Sequence, residues 1–257
     1  LEQNNGSECF KIKHKENQGE FFGKESLNEY PKDDIESIIK LSYEISKLKK
    51  LDHPSINKYI GYSPLNFEKE YRPIIITQYL PNYSLKYMLE LERQNKSPSS
   101  WNMTKKLMNI YGIASAMAYL HSNDIVHHLL HPGNIYLDQY LLPKITDICP
   151  ALNSQINIKA EEIRYMDPDV IDSGFLAAKE NNVYSYAIII YEMLTKEKFY
   201  EENFSFFTLN FLLMGSRPSI PETIPDIYRD FIESCWSNKA DERPTFDEIV
   251  MAIKKKS

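Results

Sequence analysis

The chain holds 3 cysteines, 2 tryptophans and 8 glycines in 257 residues. Cys9, Cys149 and Cys235 stand too far apart for a disulfide pattern or a thiolate metal cluster. That spacing points to a reducing compartment, and the expected location is cytoplasmic. No excess of positive charge is present: 30 Lys+Arg against 36 Asp+Glu leave a net charge of -6, which excludes the electrostatic footprint of a nucleic-acid binder. Lys47, Lys49, Lys50 and the terminal Lys254 to Lys256 read as solvated helix faces. No apolar run reaches the ~18 residues of a membrane span. The most apolar segment, "VYSYAIIIYEML", is shorter and carries Glu192, so it reads as a buried helix. No signal peptide, internal repeat or low-complexity tract is visible. The chain opens on Leu1 rather than methionine, which reads as a piece of something longer.

What is present suits a globular domain: 42% hydrophobic and 26% charged residues, with enough length to bury a core. The alternating runs "CFKIKH" and "GEFFG" around "KENQG" predict a hairpin. From Asp34 to Leu51 the spacing of Ile38, Leu41, Ile45 and Leu48 predicts a helix, with Asp33 or Asp34 as its cap. "HPSINKYIGY" and the β-branched "RPIIITQYL" predict two more strands. After "PNYS" the pattern turns helical: 104–122, then near 183–195, 204–214, 225–236 and 246–255. Strands first and helices after imply an α+β fold of two unequal lobes, 1–83 and 84–257.

The stretch "IVHHLLHPGNIYL", Ile125 to Leu137, concentrates histidine. His127 and His131 are spaced to share a helix face. However, Pro132 and Gly133 argue for a loop, and no second ligand cluster accompanies them, so a zinc site is disfavoured.

Taken with "KITDIC", "YMDPDV", "NNVYSYAIIIYEMLT" and "CWSNKADERPTF" in that order, the stretch resembles a protein kinase domain of the tyrosine-kinase-like group. "LDHPSINKYIGYSPLNF" and "YLPNYSLKYML" are similar to the expanded kinase families of protists. The resemblance covers nearly the whole chain and implies the bilobal kinase fold, with a β-rich N-lobe carrying one main helix and a helical C-lobe.

Residue by residue, the resemblance also implies damage. Where the family's catalytic loop has His-Arg-Asp-Leu-Lys-x-x-Asn, this chain has His127, His128, Leu129, Leu130, His131, Pro132, Gly133, Asn134. Leu129 stands at the position of the proton-accepting aspartate and His131 at that of the phosphate-steadying lysine. Asn134 and Asp147 survive as the implied Mg²⁺ ligands. Cys149 and Pro150 stiffen a segment that in the family is glycine-bearing. The phosphate loop aligns with "EQNNGS", putting Glu2, Asn4 and Ser7 at glycine positions and Gly6 out of register, where side chains keep phosphates off the backbone amides.

The implied nucleotide-binding residues are Lys24, its helix partner Glu44, Thr77 as gatekeeper, Gln78 and Leu80 in the hinge, and Leu137 as the pocket floor. Tyr83 replaces a glycine just beyond the hinge. Phe22 falls where the family has a small alanine over the base, unless Gly23 holds that position. His127, Leu48 and Ile148 are placed to stack between the lobes. Asp169 is placed to pair with Arg243, and Asn182 to anchor the catalytic loop. Glu162 stands where a threonine would contact the missing aspartate.

The resemblance therefore implies a pseudokinase acting as a signalling module that binds other signalling proteins or kinases. A second reading is a weakly active Ser/Thr kinase with His128 or His131 as substitute base. A third is a nucleotide sensor. ATP and Mg²⁺ are the cofactors of the family, and Phe22 and the altered glycine positions argue against their tight binding.

Overall fold

The structure is a computed structural model, and it describes residues 2–4, 7–14, 19–26, 29–30, 34–148, 159–173, 178–200 and 206–255. The chain begins with strands β1 (Glu2–Asn4), β2 (Ser7–Lys13) and β3 (Glu20–Glu25), passes through helix α1 (Ile35–Leu48), and returns as β4 (Tyr59–Ser63) and β5 (Ile74–Gln78). The five strands form one antiparallel sheet in the order β1-β2-β3-β5-β4. Both expected hairpin runs pair, with Cys9 opposite Lys24 and Ile12 opposite Phe21.

Asp34 caps α1 by accepting a hydrogen bond from Ser37 N at 3.1 Å, which satisfies an amide the first turn would leave unpaired. The alternative cap, Asp33, lies outside the described residues. Leu41, Ile45 and Leu48 are buried, as the spacing predicts, whereas Ile38 is 36% exposed. Ile38 lies on the same face but near the N-terminal end of the helix.

The second lobe begins with α2 (Leu85–Arg93) and α3 (Met103–Ser122), followed by a 3-10 turn at Pro132–Asn134 and a two-stranded ribbon, β6 (Ile135–Leu137) with β7 (Pro143–Ile145). It continues through α4 (Ala160–Ile163), α5 (Pro168–Ser173), α6 (Lys179–Thr195), α7 (Phe206–Leu213), α8 (Asp226–Cys235) and α9 (Phe246–Lys254). The short elements β6, β7, α4 and α5 have too few residues to show a period. The longer helices match the expected ones, with ends differing by a few residues, except α2, a nine-residue helix that no expected segment covered. The structure is thus the α+β, two-lobed arrangement the sequence implied.

Helix α6 is buried on nearly all sides, including Tyr184, Tyr186, Ile188, Ile189 and Met193. That explains its all-round apolar sequence without a membrane, and among the described residues no helix is long and apolar enough to cross one. Its buried carboxylate, Glu192, is held by Arg93 at 3.1 Å, Tyr165 Oη at 2.9 Å and Phe199 N at 2.9 Å. A buried charge persists only when so satisfied.

Gly112 in α3 lets that helix approach β7: a Cβ there would lie 2.7 Å from Pro143 Cγ and 3.0 Å from Ser55 Oγ. Gly112→Ala gains at most ~1 kcal/mol of helix propensity, while overpacking against a rigid ring costs ~1–3 kcal/mol. A net loss of about 1 kcal/mol is expected in urea unfolding.

One expected pair forms with a different partner. The sequence pattern pairs Arg243 with Asp169, but its guanidinium pairs with Asp167, and both side chains are 1% exposed. Asp167 also accepts from Asp169 N at 3.1 Å and from Asn181 Nδ2 at 2.7 Å, so it caps α5 and faces inward. Asp169 is exposed, being one methylene shorter than the glutamate the family pattern has there.

Candidate active-site cleft

The lobes enclose a cavity of about 960 Å³. Its upper wall is set by strand register. Phe22 pairs with Thr77 and Gly23 with Ile76. Because side chains alternate across a strand, Phe22 and Lys24 share the cleft face, and both line the cavity with Thr77. Gly23 faces the other way, where a Cβ would come 2.6 Å from Ile12 Cδ1. The register is thereby resolved: Phe22, not Gly23, stands over the cleft.

Gln78, the last residue of β5, and Leu80, between β5 and α2, are in the lining. Thr77 Oγ1 accepts from Asn57 Nδ2 at 3.1 Å. The lower wall differs by one residue from expectation. Leu137 is 0% exposed, inside the core, and Tyr136 lines the cavity instead. The strand alternation that gives β6 a buried, half-buried, buried pattern puts the middle residue toward the cleft. Backbone bonds from Leu137 N to Tyr83 O (3.1 Å) and from Ile145 N to Ser55 O (2.8 Å) fasten this floor to the hinge and to the segment after α1.

At the back of the cavity Lys24 Nζ lies 2.5 Å from Asp147 Oδ1. Lys24 thus makes a close ion pair with Asp147, and Glu44, its expected partner on α1, carries a charge that favours the protonated form of His128. Glu44 is not part of the cavity lining. Asp147 holds a left-handed backbone, φ 63°, a conformation aspartate tolerates better than most residues. Such conformations persist where surrounding structure over-determines them. Leu48 and Ile148 line the cavity nearby, and His127 is buried.

The catalytic-loop region is rigidly built around a side chain that cannot take a proton. Asn182 of α6 accepts from His127 N at 3.0 Å and donates to His127 O at 2.6 Å. His121 Nε2 shares the same Asn182 oxygen at 3.0 Å. Asn182 therefore takes the anchoring place expected of it. Asn134 Nδ2 donates to Leu129 O at 3.0 Å, and Leu129 is buried. His127 Nε2 meets Thr146 O at 2.9 Å, so that nitrogen carries the proton, and its Nδ1 accepts from Leu129 N at 3.3 Å. His131 repeats the pattern: its Nδ1 accepts from Gly133 N at 3.1 Å, capping the 3-10 turn. His131 Nε2, then, bears the proton; it is buried, without a hydrogen bond, and 3.9 Å from Glu162 Oε1.

Burial depresses the basicity of His121, His127 and His128, and pushes His131 down to about 3. None of the three loop histidines lines the cavity. The sequence missed the meeting of His131 with Glu162, residues far apart in the chain that take the places of two polar family residues. Cys149, Pro150 and Gly6 lie outside the described residues. Of the implied phosphate loop, Glu2 and Asn4 lie in β1, and Asn4 pairs with Ser7 of β2.

As to a cation, Asn134 and Asp147 both line the cavity. Asn134 spends its amide N–H on Leu129, so its Oδ1 and the Asp147 carboxylate are the hard oxygen donors that Mg²⁺ prefers. These residues fit a cation that would also be held by phosphate oxygens. Among the described residues, no group of three or more His, Cys, Asp or Glu side chains gathers to hold a metal.

A strand-rich lobe, a helical lobe, and between them a cleft carrying a lysine–aspartate pair and an asparagine make up the arrangement that the kinase resemblance implies. The family model for protein tyrosine and serine/threonine kinases matches residues 11–253: the chain belongs to the protein kinase family. A probable serine/threonine-protein kinase of Dictyostelium discoideum, gdt4, is 30% identical over 240 residues, 88% of this chain and 14% of that protein. The putative serine/threonine-protein kinase/receptor R826 of Acanthamoeba polyphaga mimivirus is 30% identical over 228 residues, 86% and 13%. RGS domain-containing serine/threonine-protein kinase A of Dictyostelium discoideum is 33% identical over 180 residues, 68% and 15%. The chain thus spans a small part of the length of each.

Proposed function

We propose that this domain is a kinase-fold module of the tyrosine-kinase-like group that keeps the cleft and has lost phosphoryl transfer. It acts by binding other signalling proteins or kinases in the cytoplasm. One observation carries the reading: Leu129 occupies the position at which the family's catalytic loop carries its proton-accepting aspartate, in a loop held by Asn182 and Asn134. A positioned proton acceptor is worth ~10²–10⁴ in rate, and an aliphatic side chain supplies none of it. His131 does not replace it, because its Nδ1 is engaged by Gly133 and burial leaves it little proton affinity. Kinase domains in general bind ATP and Mg²⁺, and Lys24, Thr77, Gln78, Leu80, Asn134 and Asp147 are the residues that would meet them here. Leu137 would support that site from the core, and Glu44 would act through α1.

A second reading, weak Ser/Thr kinase activity, rests on Glu162. This carboxylate approaches the catalytic-loop region at His131 and is the group this reading would make the substitute base. The test is radiolabel transfer from ATP, with Mg²⁺ or Mn²⁺, to the protein itself and to generic peptides. Incorporation is expected to equal that of Asp147→Ala and Glu162→Gln. Metal-dependent incorporation that vanishes in Asp147→Ala would overturn the first reading, and its loss in Glu162→Gln as well would establish the second.

A further inference from the structure

Helix α1 is apolar on two faces. Leu41, Ile45 and Leu48 turn inward and are buried. On the opposite side Ile35, Ile39 and Tyr43 follow one another four residues apart and are 66%, 63% and 61% exposed. Single exposed apolar side chains are ordinary on a surface, but three aligned along one helix face form a stripe. A helix that only had to cover its own lobe would be polar there. Lys47 Nζ lies 4.7 Å from the Tyr43 ring centroid, holding that ring at the end of the stripe.

The charges beside the stripe are one-sided. Glu36 and Lys40, both exposed, run along one flank, and Ser42 and Ile38 stand on the other. A two-fold axis at Ile39 that runs two copies of α1 antiparallel sets like flanks side by side. Ile39 then meets Ile39, and Ile35 meets Tyr43. Glu36 comes within about 3 Å, measured along the helix, of Lys40 in the second copy. The same pairs form in both directions. A parallel pair would instead lay each charged flank against the uncharged flank of its partner. The stripe and its charges are therefore complementary to themselves in the antiparallel register.

We propose that the outer face of α1 pairs with the same face of a second copy of this chain, antiparallel about Ile39. Such pairing goes beyond the reading of the cleft and stands whether or not the domain transfers phosphate. Helix α1 has 14 residues, about 21 Å of length. A contact confined to it covers less than the roughly 800 Å² per partner of a standard stable interface. The pair therefore forms and parts with concentration. Exposed charge pairs add little affinity; here they fix direction and the identity of the partner.

Sedimentation velocity on the whole chain from about 1 µM to about 500 µM, the range over which a small interface fills, tests this. The sedimentation coefficient is expected to rise from that of a monomer to that of a dimer. Ile39→Asp sets two carboxylates against each other at the axis and should weaken the dimer by about tenfold or more, with circular dichroism unchanged. Glu36→Lys and Lys40→Glu should each weaken it by about fivefold, and the double variant should return to within about twofold of the unsubstituted chain. Oxidation reports direction. A mixture of Ile35→Cys and Tyr43→Cys should give a disulfide-linked dimer. Ile35→Cys alone should link no more than the unsubstituted chain, because its two backbones stand about 12 Å apart along the helix and a disulfide needs Cα atoms within about 6.8 Å. A monomer at every concentration would overturn the pairing, as would self-linking of Ile35→Cys or a double charge variant as weak as the single ones. An undiminished dimer in folded Ile39→Asp would overturn it too and place association elsewhere, for instance at the exposed Phe207, Phe211 and Met214. Should Ile39→Asp lose its fold, the charge variants, on exposed residues of the flank, decide alone.

Discussion

Arg243→Met is expected to lower the unfolding free energy by about 3–5 kcal/mol, the cost of leaving a buried charge without its counter-ion. The stranded group is Asp167, whose side chain is 1% exposed. Further bonds are lost with the guanidinium: Nε donates to Ser237 O at 2.9 Å, Nη1 to Glu180 O at 3.2 Å, and the group lies 5.1 Å from the Tyr184 ring centroid. These contacts tie the start of α5, the start of α6 and the loop before α9 together. Asp167→Leu combined with Arg243→Met should recover part of the loss, because no lone charge then remains inside. Asp169→Ala, at the exposed neighbour, should change stability by no more than about 0.5 kcal/mol. Urea unfolding followed by circular dichroism separates the cases. Equal losses for Asp169→Ala and Arg243→Met would show that the guanidinium's true partner is Asp169.

Acid should unfold the domain over an unusual window. His121, His127 and His131 are buried and neutral, and burial holds each below the ordinary histidine value. In the unfolded chain each returns to about 6.5. A depressed folded value means the unfolded state binds more protons below that pH. The stability conferred is therefore complete above pH ~6.5 and drains as pH falls, for His131 until about 3. Each such histidine contributes a slope approaching ~1.4 kcal/mol per pH unit. Protonation also breaks a bond, since Nδ1 of His127 and of His131 must accept from Leu129 N and Gly133 N.

Carboxylates held below their usual value by partners, such as Glu161 by Lys86 and Glu248 by Thr245, lose their contribution only at lower pH. The span from pH 6.5 to about 5.5, above the range in which unfolded carboxylates take up protons, is where the histidines dominate. His131→Gln should reduce the slope there by about one proton; an unchanged slope would show that His131 is already protonated or solvated in the fold.

Much of the fold was legible because long elements repeat their pattern. The β-branched run at Ile74–Ile76, the spacing of Leu41, Ile45 and Leu48, and the long apolar run of α6 each declare an element over several turns or alternations. The site was legible in part. Lys24, Thr77, Gln78, Leu80, Asn134 and Asp147, far apart in the chain, do gather at one cavity. Leu137 was misplaced by one residue because β6 is too short to reveal its own alternation. Ile38 was misjudged because periodicity tells which face a residue is on, not how far along the helix the core extends.

The sequence by itself determined the order of most of the longer strands and helices and the absence of an acid at position 129. Those follow from local propensity, period and covalent identity, all of which are properties of neighbours in the chain. Only the tertiary structure decided that Phe22 rather than Gly23 faces the cleft, that Arg243 takes Asp167, and that His131 lies against Glu162. Each of these is a choice among partners distant in sequence, settled by strand register, side-chain reach and burial together, and no run of adjacent residues encodes it.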